Sequence, residues 1–485
     1  MNGAQEHARN DALLAALAAY TANVSGTLTE ATCDDVCNAV TDTLAVALGA
    51  LRHPAVGPAQ RYARNHPLAN GATLWGTHQK TTVETAALVN GVPLRGYDYN
   101  DLYMGKKSGG HPSDIIPGLI ALAEVRSVSG ADLFTAIAVG YEVNMMVLDA
   151  IDIHTTRWDY PVLTAIGATC GAARLLSLSE TQTAEAVAIA VISHFVTDEV
   201  ESGDLNARGD LTMWKRFNGS HAVRHGIYAA LLAEAGVEGA VRPFEGRSGF
   251  LSNVTTSPDA IADLEERLQT RTAPARIRET QFKRWPVGSR GQSAIQAALH
   301  ARATVAAPSQ VKEIRVTCDQ EVYEHLLARR ADPWHPISRE TADHSLPYIV
   351  AAAVLDGTID TDSFAMERVT DPARQAFLNA TVKVTASQTL SQGASGGFLA
   401  SVELIDDAGR LHVGDAAAPP GHARQRFTRS DLDAKFAENV APVLGGAHSA
   451  KIHEAILGLA DASSVRELTA LLAQEPIAIT PKVGA

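Results

Sequence analysis

Apolar residues recur at helical spacing over residues 10–24 and again over 29–51, which predicts an opening pair of helices with Thr29 as the N-cap ahead of Glu30. Residues 58–77 are interrupted by Pro and Gly and predict no regular element. Helical periodicity returns over 81–91 and, after a glycine-loosened loop, over 115–128, 130–150, 161–176 and 181–192. Ala and Gly crowd the last two, so close helix contacts with little space between them are expected. Another helix is predicted over 218–235, preceded by Lys215. Near residue 272 the texture changes. A Pro/Arg-rich passage leads to a helix capped at Ser289, an alternating strand over 311–318, a helix over 341–355, and strands near 380–384, 398–404 and 410–413. From 430 to 472 the pattern is helical again. The expected fold is therefore mostly α: a large all-helical domain built from both chain ends, residues 1–275 and 420–485, with a smaller α+β domain inserted at 276–419.

A chain of 485 residues exceeds one ordinary core, which agrees with two domains. Hydrophobic residues at 46% and charged residues at 20% fit a globular protein rather than a disordered one. The net charge of -13 argues against nucleic acid as a partner, but leaves room for a cationic pocket that takes a small anion. Residues 1–11 lack the order of a signal peptide, and no apolar run is expected to reach the roughly 18 residues of a membrane span. A cytoplasmic location without membrane association is the expectation. Cys33, Cys37, Cys170 and Cys318 read as packing thiols, neither disulfides nor ligands. His221 and His225 stand at i and i+4 but lack a third ligand, so no metal is expected. No glycine-rich nucleotide fingerprint, phosphate loop or serine-hydrolase elbow occurs.

Chemistry concentrates in residues 95–114, where Asp98, Asp101, Lys106, Lys107 and His111 share a loop with Gly105, Gly109 and Gly110. The plainer reading is a solvated loop whose Ser113 or Asp114 caps the next helix. Two further cationic clusters, Lys215 with Arg216 and Lys283 with Arg284 and Arg290, stand at loop-to-helix junctions. There unpaired N–H groups and the helix dipole add to the charge, which suits carboxylates. His111 is the first candidate for proton transfer, and Tyr348, with His344 four residues before it, is the second. Asp98 and Asp101 would orient His111 or hold a substrate hydroxyl, and are otherwise turn residues.

The strings D-Y-N-D, G-H-P-S-D, T-M-W-K-R-F-N-G-S-H-A, F-E-G-R-S-G-F, F-K-R-W-P-V with G-Q-S-A, R-E-T-A-D-H-S-L-P-Y, and P-P-G-H with D-A-K-F follow one another along nearly the whole chain. In that order they resemble the MmgE/PrpD family, which contains 2-methylcitrate dehydratase, cis-aconitate decarboxylase and iminodisuccinate epimerase. The resemblance implies that the inserted domain is a lid, that the protein is a homodimer, and that the site lies between the domains and uses no metal or organic cofactor. It also implies that Asp98, His111, Lys215, Lys283 and Tyr348 are the site residues, since each falls on a residue of the family's motifs. The W-K pair and the R-E-T-A-D-H-S-L-P-Y string look most like the 2-methylcitrate dehydratase branch. Three positions depart from the pattern: Leu102 stands where the motif has Thr, and Tyr160 and Arg290 stand where relatives carry His. The implied activity is cofactor-free dehydration of a 2-methylcitrate-like hydroxy acid. Catalysis would fall to His111, Tyr348, Asp98, Lys215 and Lys283, and substrate binding to Arg290, Tyr160, Asp101 and Lys107. Decarboxylation or epimerisation of a related carboxylate is the alternative, as is a carboxylate-binding homologue without catalysis.

Overall fold

The protein is described by a computed structural model covering residues 11–201, 206–207, 211–393, 398–415 and 417–478. The opening ten residues, on which most of the reading of no signal peptide rests, lie outside this description, as does Asn10 of the first expected helix.

The fold is mostly helical with small sheets. Helices α1 (Ala12–Asn23) and α2 (Glu30–Gly49) form the expected opening pair, and Thr29 caps α2 by accepting from Thr32 N. Asp11 caps α1 through Oδ1, while its Oδ2 accepts from the backbone N–H groups of Phe244 and Glu245. One carboxylate therefore ties the start of the described chain to the F-E-G-R-S-G-F turn. The region expected to be irregular holds α3 (Val56–Ala63) and an antiparallel pair, β1 (Pro67–Thr73) with β2 (Lys80–Thr81). Pro58 is tolerated because it lies in the first turn of α3, where no N–H is needed. The part of the chain expected to be all-helical thus carries strands, including the small pair β3 (Tyr103–Met104) and β4 (Gly109–Gly110) inside the central loop.

Helices α4 (Val83–Leu94), α5 (Ile115–Arg126), α6 (Gly130–Ala150), α7 (Pro161–Leu175), α8 (Glu180–Ser193), α9 (Trp214–Glu234) and α10 (Pro258–Thr270) complete this body. The small residues act as expected: a Cβ on Gly167 of α7 would lie 2.7 Å from the Gly140 carbonyl of α6. By length and composition α6 passes as a membrane span, contrary to expectation, yet its apolar window is 89% buried among the other helices. It is the central helix of the core, packed along α7. All four cysteines are free, with Cys37, Cys170 and Cys318 buried.

The rest begins with α11 (Ser289–Arg302). Strand β5 (Val311–Cys318) sits centrally in a four-stranded sheet of order β6-β5-β7-β8, where β6 is Val382–Ala386, β7 Ala400–Asp406 and β8 Leu411–Gly414. Strands β5 and β6 are parallel and the other pairs antiparallel. The crossover between β5 and β6 carries α12 (Gln320–Tyr323), α13 (Arg339–Asp343), α14 (Leu346–Asp356), α15 (Met366–Val369) and α16 (Pro372–Thr381), and α17 (Gln388–Gly393) follows β6. The single helix expected over 341–355 is broken between α13 and α14. Ser345 caps α14 by accepting from Tyr348 N, and Pro347 in its first turn has no N–H to continue the earlier helix. The C-terminal helices are α18 (Arg429–Leu444), α19 (Gly446–Leu457) and α20 (Arg466–Leu472).

Buried apolar residues fall into two clusters. One draws on residues 13–277 and 436–472, the other on 285–404 together with Leu102. Leu102 and Gln281 exchange backbone hydrogen bonds at 2.8 Å, so the central loop is stitched to the segment that leads into the second cluster.

Candidate active site

The central loop is not a solvated connection. Arg95 ends α4 and sends Nη1 to Asn100 Oδ1 at 2.7 Å; Asn100 donates to Ser113 Oγ at 3.0 Å. Ser113 in turn donates both its hydroxyl and its backbone N–H to Asp101 Oδ1, and Tyr141 of α6 donates to Asp101 Oδ2 at 3.1 Å. Ser113 and Asp114 cap no helix with their side chains: Ser113 serves Asp101, and Asp114 accepts from the Tyr160 hydroxyl at 2.8 Å. Asp101 is fully buried with both oxygens occupied, so it holds the loop and is not placed to touch a substrate. Burial pushes its carboxyl up to about 7 against the pull of Ser113.

This frame fixes His111. Its Nδ1 lies against the Asp101 carbonyl, which in the neutral ring makes Nδ1–H the donor and leaves the Nε2 lone pair available. Burial first, then Arg95 and Lys283, hold its pKa well below the usual histidine value, so the ring is neutral near pH 7. The Tyr160 ring meets it edge-on at 5.1 Å, and Arg95 stands 5.8 Å from the centre of the Tyr160 ring. Helix α9 comes close because residue 219 is glycine: a Cβ there would lie 2.1 Å from Asp114 Oδ2 and 3.0 Å from the Tyr160 hydroxyl.

Asp98 is the electrostatic hub. Its backbone is left-handed, φ 48°, a conformation that costs an aspartate more than a glycine and that needs a compensating contact. Lys283 supplies it, donating to the Asp98 carbonyl at 2.7 Å and to Oδ1 at 3.0 Å, with Arg95 at 3.5 Å from the same oxygen. Burial alone would raise the Asp98 pKa, but Lys283, Arg95 and Lys215 outweigh it and keep the carboxylate ionised. Burial pulls Lys283 down and Asp98 pulls it back.

Lys215 lies in the first turn of α9, not before the helix, and is buried. Its Nζ is 3.4 Å from His344 Nε2, and His344 Nδ1 rests on Asp343 Oδ1 and the Glu340 carbonyl. The break between α13 and α14 is what leaves His344 facing Lys215. It also turns Tyr348 away: that hydroxyl donates to the Ser363 carbonyl at 2.7 Å, the ring packs near Phe364, and burial pushes its pKa up to about 12. Tyr348 is a residue of the second apolar cluster, and the expectation that it moves protons beside His111 is corrected by this geometry. Arg290 is likewise drawn off, paired with Glu321 at 2.6 Å and stacked 4.9 Å over Phe398. The Lys107 side chain is exposed, and only its backbone N–H is tied down, to the Leu148 carbonyl.

The loop side thus unites Asp98, His111 and Tyr160 with Lys215 and Lys283, and sequence reasoning overlooked Arg95, Asn100, Asp114, Tyr141 and the pairing of Asp343 with His344 as parts of the site. Adjacent acid and histidine in R-E-T-A-D-H-S was the available signal for that pair. Glu340, Asp343 and His344 have ligand atoms within 4.8 Å of one another, the sole such group among the described residues. Arg216 already pairs with Glu340, Arg339 stands 3.8 Å from Asp343, and Lys215 faces His344, so a metal ion there would meet three cations. Beside Lys283, a small void of about 20 Å³ is walled by Leu102, Gln292 and Phe398. Outside it opens a cleft of about 950 Å³ that shares Gln281, Phe398 and His422 with the void. Asp98, His111 and Lys215 line neither.

Sequence models of one known family match the chain in two consecutive parts. The sequence model of the MmgE/PrpD N-terminal domain matches residues 15–262, and that of the MmgE/PrpD C-terminal domain matches residues 285–461. The human (Homo sapiens) cis-aconitate decarboxylase is 27% identical over 433 residues, covering 85% of this chain and 84% of that protein. The 2-methylcitrate dehydratase of Cupriavidus necator is 25% identical over 373 residues, 71% of each chain, and that of Salmonella typhimurium 22% over 411 residues, 79% of this chain and 81% of its own. With both domains matched in order and the loop, lysine and histidine strings meeting at one site, the chain belongs to the MmgE/PrpD family.

Proposed function

We propose that this chain is a lyase that needs no metal or organic cofactor and acts on a small di- or tricarboxylate, dehydrating a 2-methylcitrate-like hydroxy acid. The observation that carries the reading is the neutral His111, with Nδ1 committed to the Asp101 carbonyl and Nε2 left as a base, beside the buried cations Lys215 and Lys283. Dehydration next to a carboxylate breaks a C–H and a C–O bond. His111 Nε2 takes the proton, and Lys215 and Lys283 draw the carboxylates in and stabilise the enolate-like charge that builds up. Lys215, hydrogen-bonded to His344, supplies the proton with which hydroxide leaves as water. Asp98 places Lys283 and balances its charge. The two apolar clusters support a lid formed by residues 276–419 over a body formed by 1–275 and 420–485. The homodimer is part of this reading through the family resemblance alone.

Decarboxylation of a cis-aconitate-like acid is the second reading. It is favoured by the cis-aconitate decarboxylase relatives and by Leu102, which puts an apolar wall where a departing carboxylate would lose water beside Lys283. Proton NMR in deuterated water with 2-methylcitrate, citrate, cis-aconitate and iminodisuccinate separates the two. Loss of 2-methylcitrate with a new olefinic signal supports dehydration, and conversion of cis-aconitate alone moves the assignment to decarboxylation. Silence on every compound from folded protein overturns both.

A further inference from the structure

The D-A-K-F string contains a lysine to which the chemistry above gives no part. Lys435 of α18 is wholly buried, 0% exposed, and so nearly is its partner Asp42 of α2, at 1%. The ammonium has three protons and three acceptors: Asp42 Oδ1 at 2.6 Å, the Lys283 carbonyl at 2.8 Å and the Tyr99 carbonyl at 3.3 Å. Its charge also lies 4.0 Å from the centre of the Tyr99 ring, whose hydroxyl donates to the Arg284 carbonyl at 2.6 Å.

Stability is a poor explanation for such a pair. Two charges taken fully out of water lose hydration that their attraction hardly restores, and apolar residues of equal volume often serve a core as well or better. An apolar residue could fill the space between α2 and α18, but it could not bind two carbonyls from two distant chain segments. Those segments are the ones that matter. Tyr99 follows Asp98, and the other carbonyl belongs to Lys283 itself, so Lys435 grips from behind both backbones whose side chains meet in front as the Asp98–Lys283 pair. Asp42 supplies the counter-charge that lets a lysine ionise there.

We propose that Lys435, held by Asp42, is a positioning residue that sets the Asp98–Lys283 pair by clamping the Tyr99 and Lys283 carbonyls together. It touches no substrate and acts through Lys283, so the idea rests on the reading of Lys283 as a site residue. The test does not need turnover. The full-length protein is exposed briefly to an acetylating reagent, and acetylation of Lys283 is followed by peptide mass spectrometry in wild type, Lys435→Met, the uncharged pair Asp42→Asn/Lys435→Met, and Val440→Ala on the same helix as a control for lost packing. In Lys435→Met, Lys283 should label faster on the order of tenfold, the size expected for losing one charge-assisted hydrogen bond. The double variant should regain melting temperature and still label fast, because it restores neutral packing without the grip. Val440→Ala should melt lower with Lys283 still protected. If Val440→Ala at an equal loss of melting temperature labels as fast as Lys435→Met, or if the double variant returns to the wild-type rate, Lys435 is only structural and the proposal falls. Where a substrate is turned over, kcat should drop more than KM changes in both lysine variants. Failure of every substrate would overturn the proposed reaction and leave the labelling result standing.

Discussion

The two sides of the site are built on different principles. On the helical side, Arg95, Asp98, Asn100, Asp101, His111 and Ser113 all come from one short stretch and cross-link one another through hydrogen bonds to neighbours 3 to 13 residues away. On the other side, Lys283 and His344 arrive singly from separate segments, while Arg290 and Tyr348, close to them in sequence, point elsewhere. A self-linked loop converts sequence proximity directly into geometry. A side chain beside a helix break is aimed by the break: His344 and Tyr348, four residues apart and so on one face of any unbroken helix, end in the site and in the core.

The strongest way to break this contrast is to unlink the Asp98–Lys283 bridge between the two sides. Lys283→Met leaves the Asp98 carboxylate buried without its main cation, and the loss of a buried partner costs about 3–5 kcal/mol. Denaturant unfolding should show a drop of that order, and turnover should vanish. Adding Asp98→Asn should recover most of the stability and none of the activity. A single variant as stable as wild type would mean that the loop holds Asp98 without help from the far side.

A smaller effect on stability, with a large one on rate, is expected at His111. Replacing it by Asn should slow turnover by roughly 10² to 10⁴ if Nε2 is the base. The pH dependence has a definite sign. The folded pKa lies well below the ordinary value of about 6.5, so below that pH the unfolded chain binds the proton and the folded one does not. Wild type therefore loses stability to His111 as pH falls through 6.5, and His111→Asn does not. The stability gap between them should narrow on acidification, and a gap that widens would show that the ring is charged in the folded protein.

How much of this was legible in the sequence follows the same line. Most long helices were readable from periodicity, and so were the strands β5, β6, β7 and β8 to within two residues, because burial on one face imposes a period; α10 and the short helices α12 and α15–α17 were not predicted. Asp98 and His111 could be grouped in one loop because Arg95 and Asp101, which hold them from the helical side, lie within 10 residues of them. What escaped was α3 with β1, where Pro58 reads as a breaker but sits harmlessly in a first turn, and the break at Ser345, which a smooth apolar pattern concealed. The sequence makes Asp101 a candidate substrate contact because composition cannot tell a carboxylate that faces a cavity from one enclosed by Ser113 and Tyr141.

The smallest expected effect tests that last point from the core side. Tyr348→Phe removes one hydrogen bond, to the Ser363 carbonyl, and leaves the ring against Phe364, so a loss of about 1 kcal/mol is expected. Turnover should stay at the wild-type level across neutral pH, because a phenol pushed up to about 12 and committed to a carbonyl neither gives nor takes a proton there. His344→Gln, four residues earlier, should slow turnover by disconnecting Lys215 from its imidazole partner. If the order were reversed, with Tyr348→Phe crippled and His344→Gln active, α14 would have to turn in the working enzyme so that its first turn faces the loop. The contrast between a side fixed by local bonds and a side assembled from separate segments would then describe only the resting state.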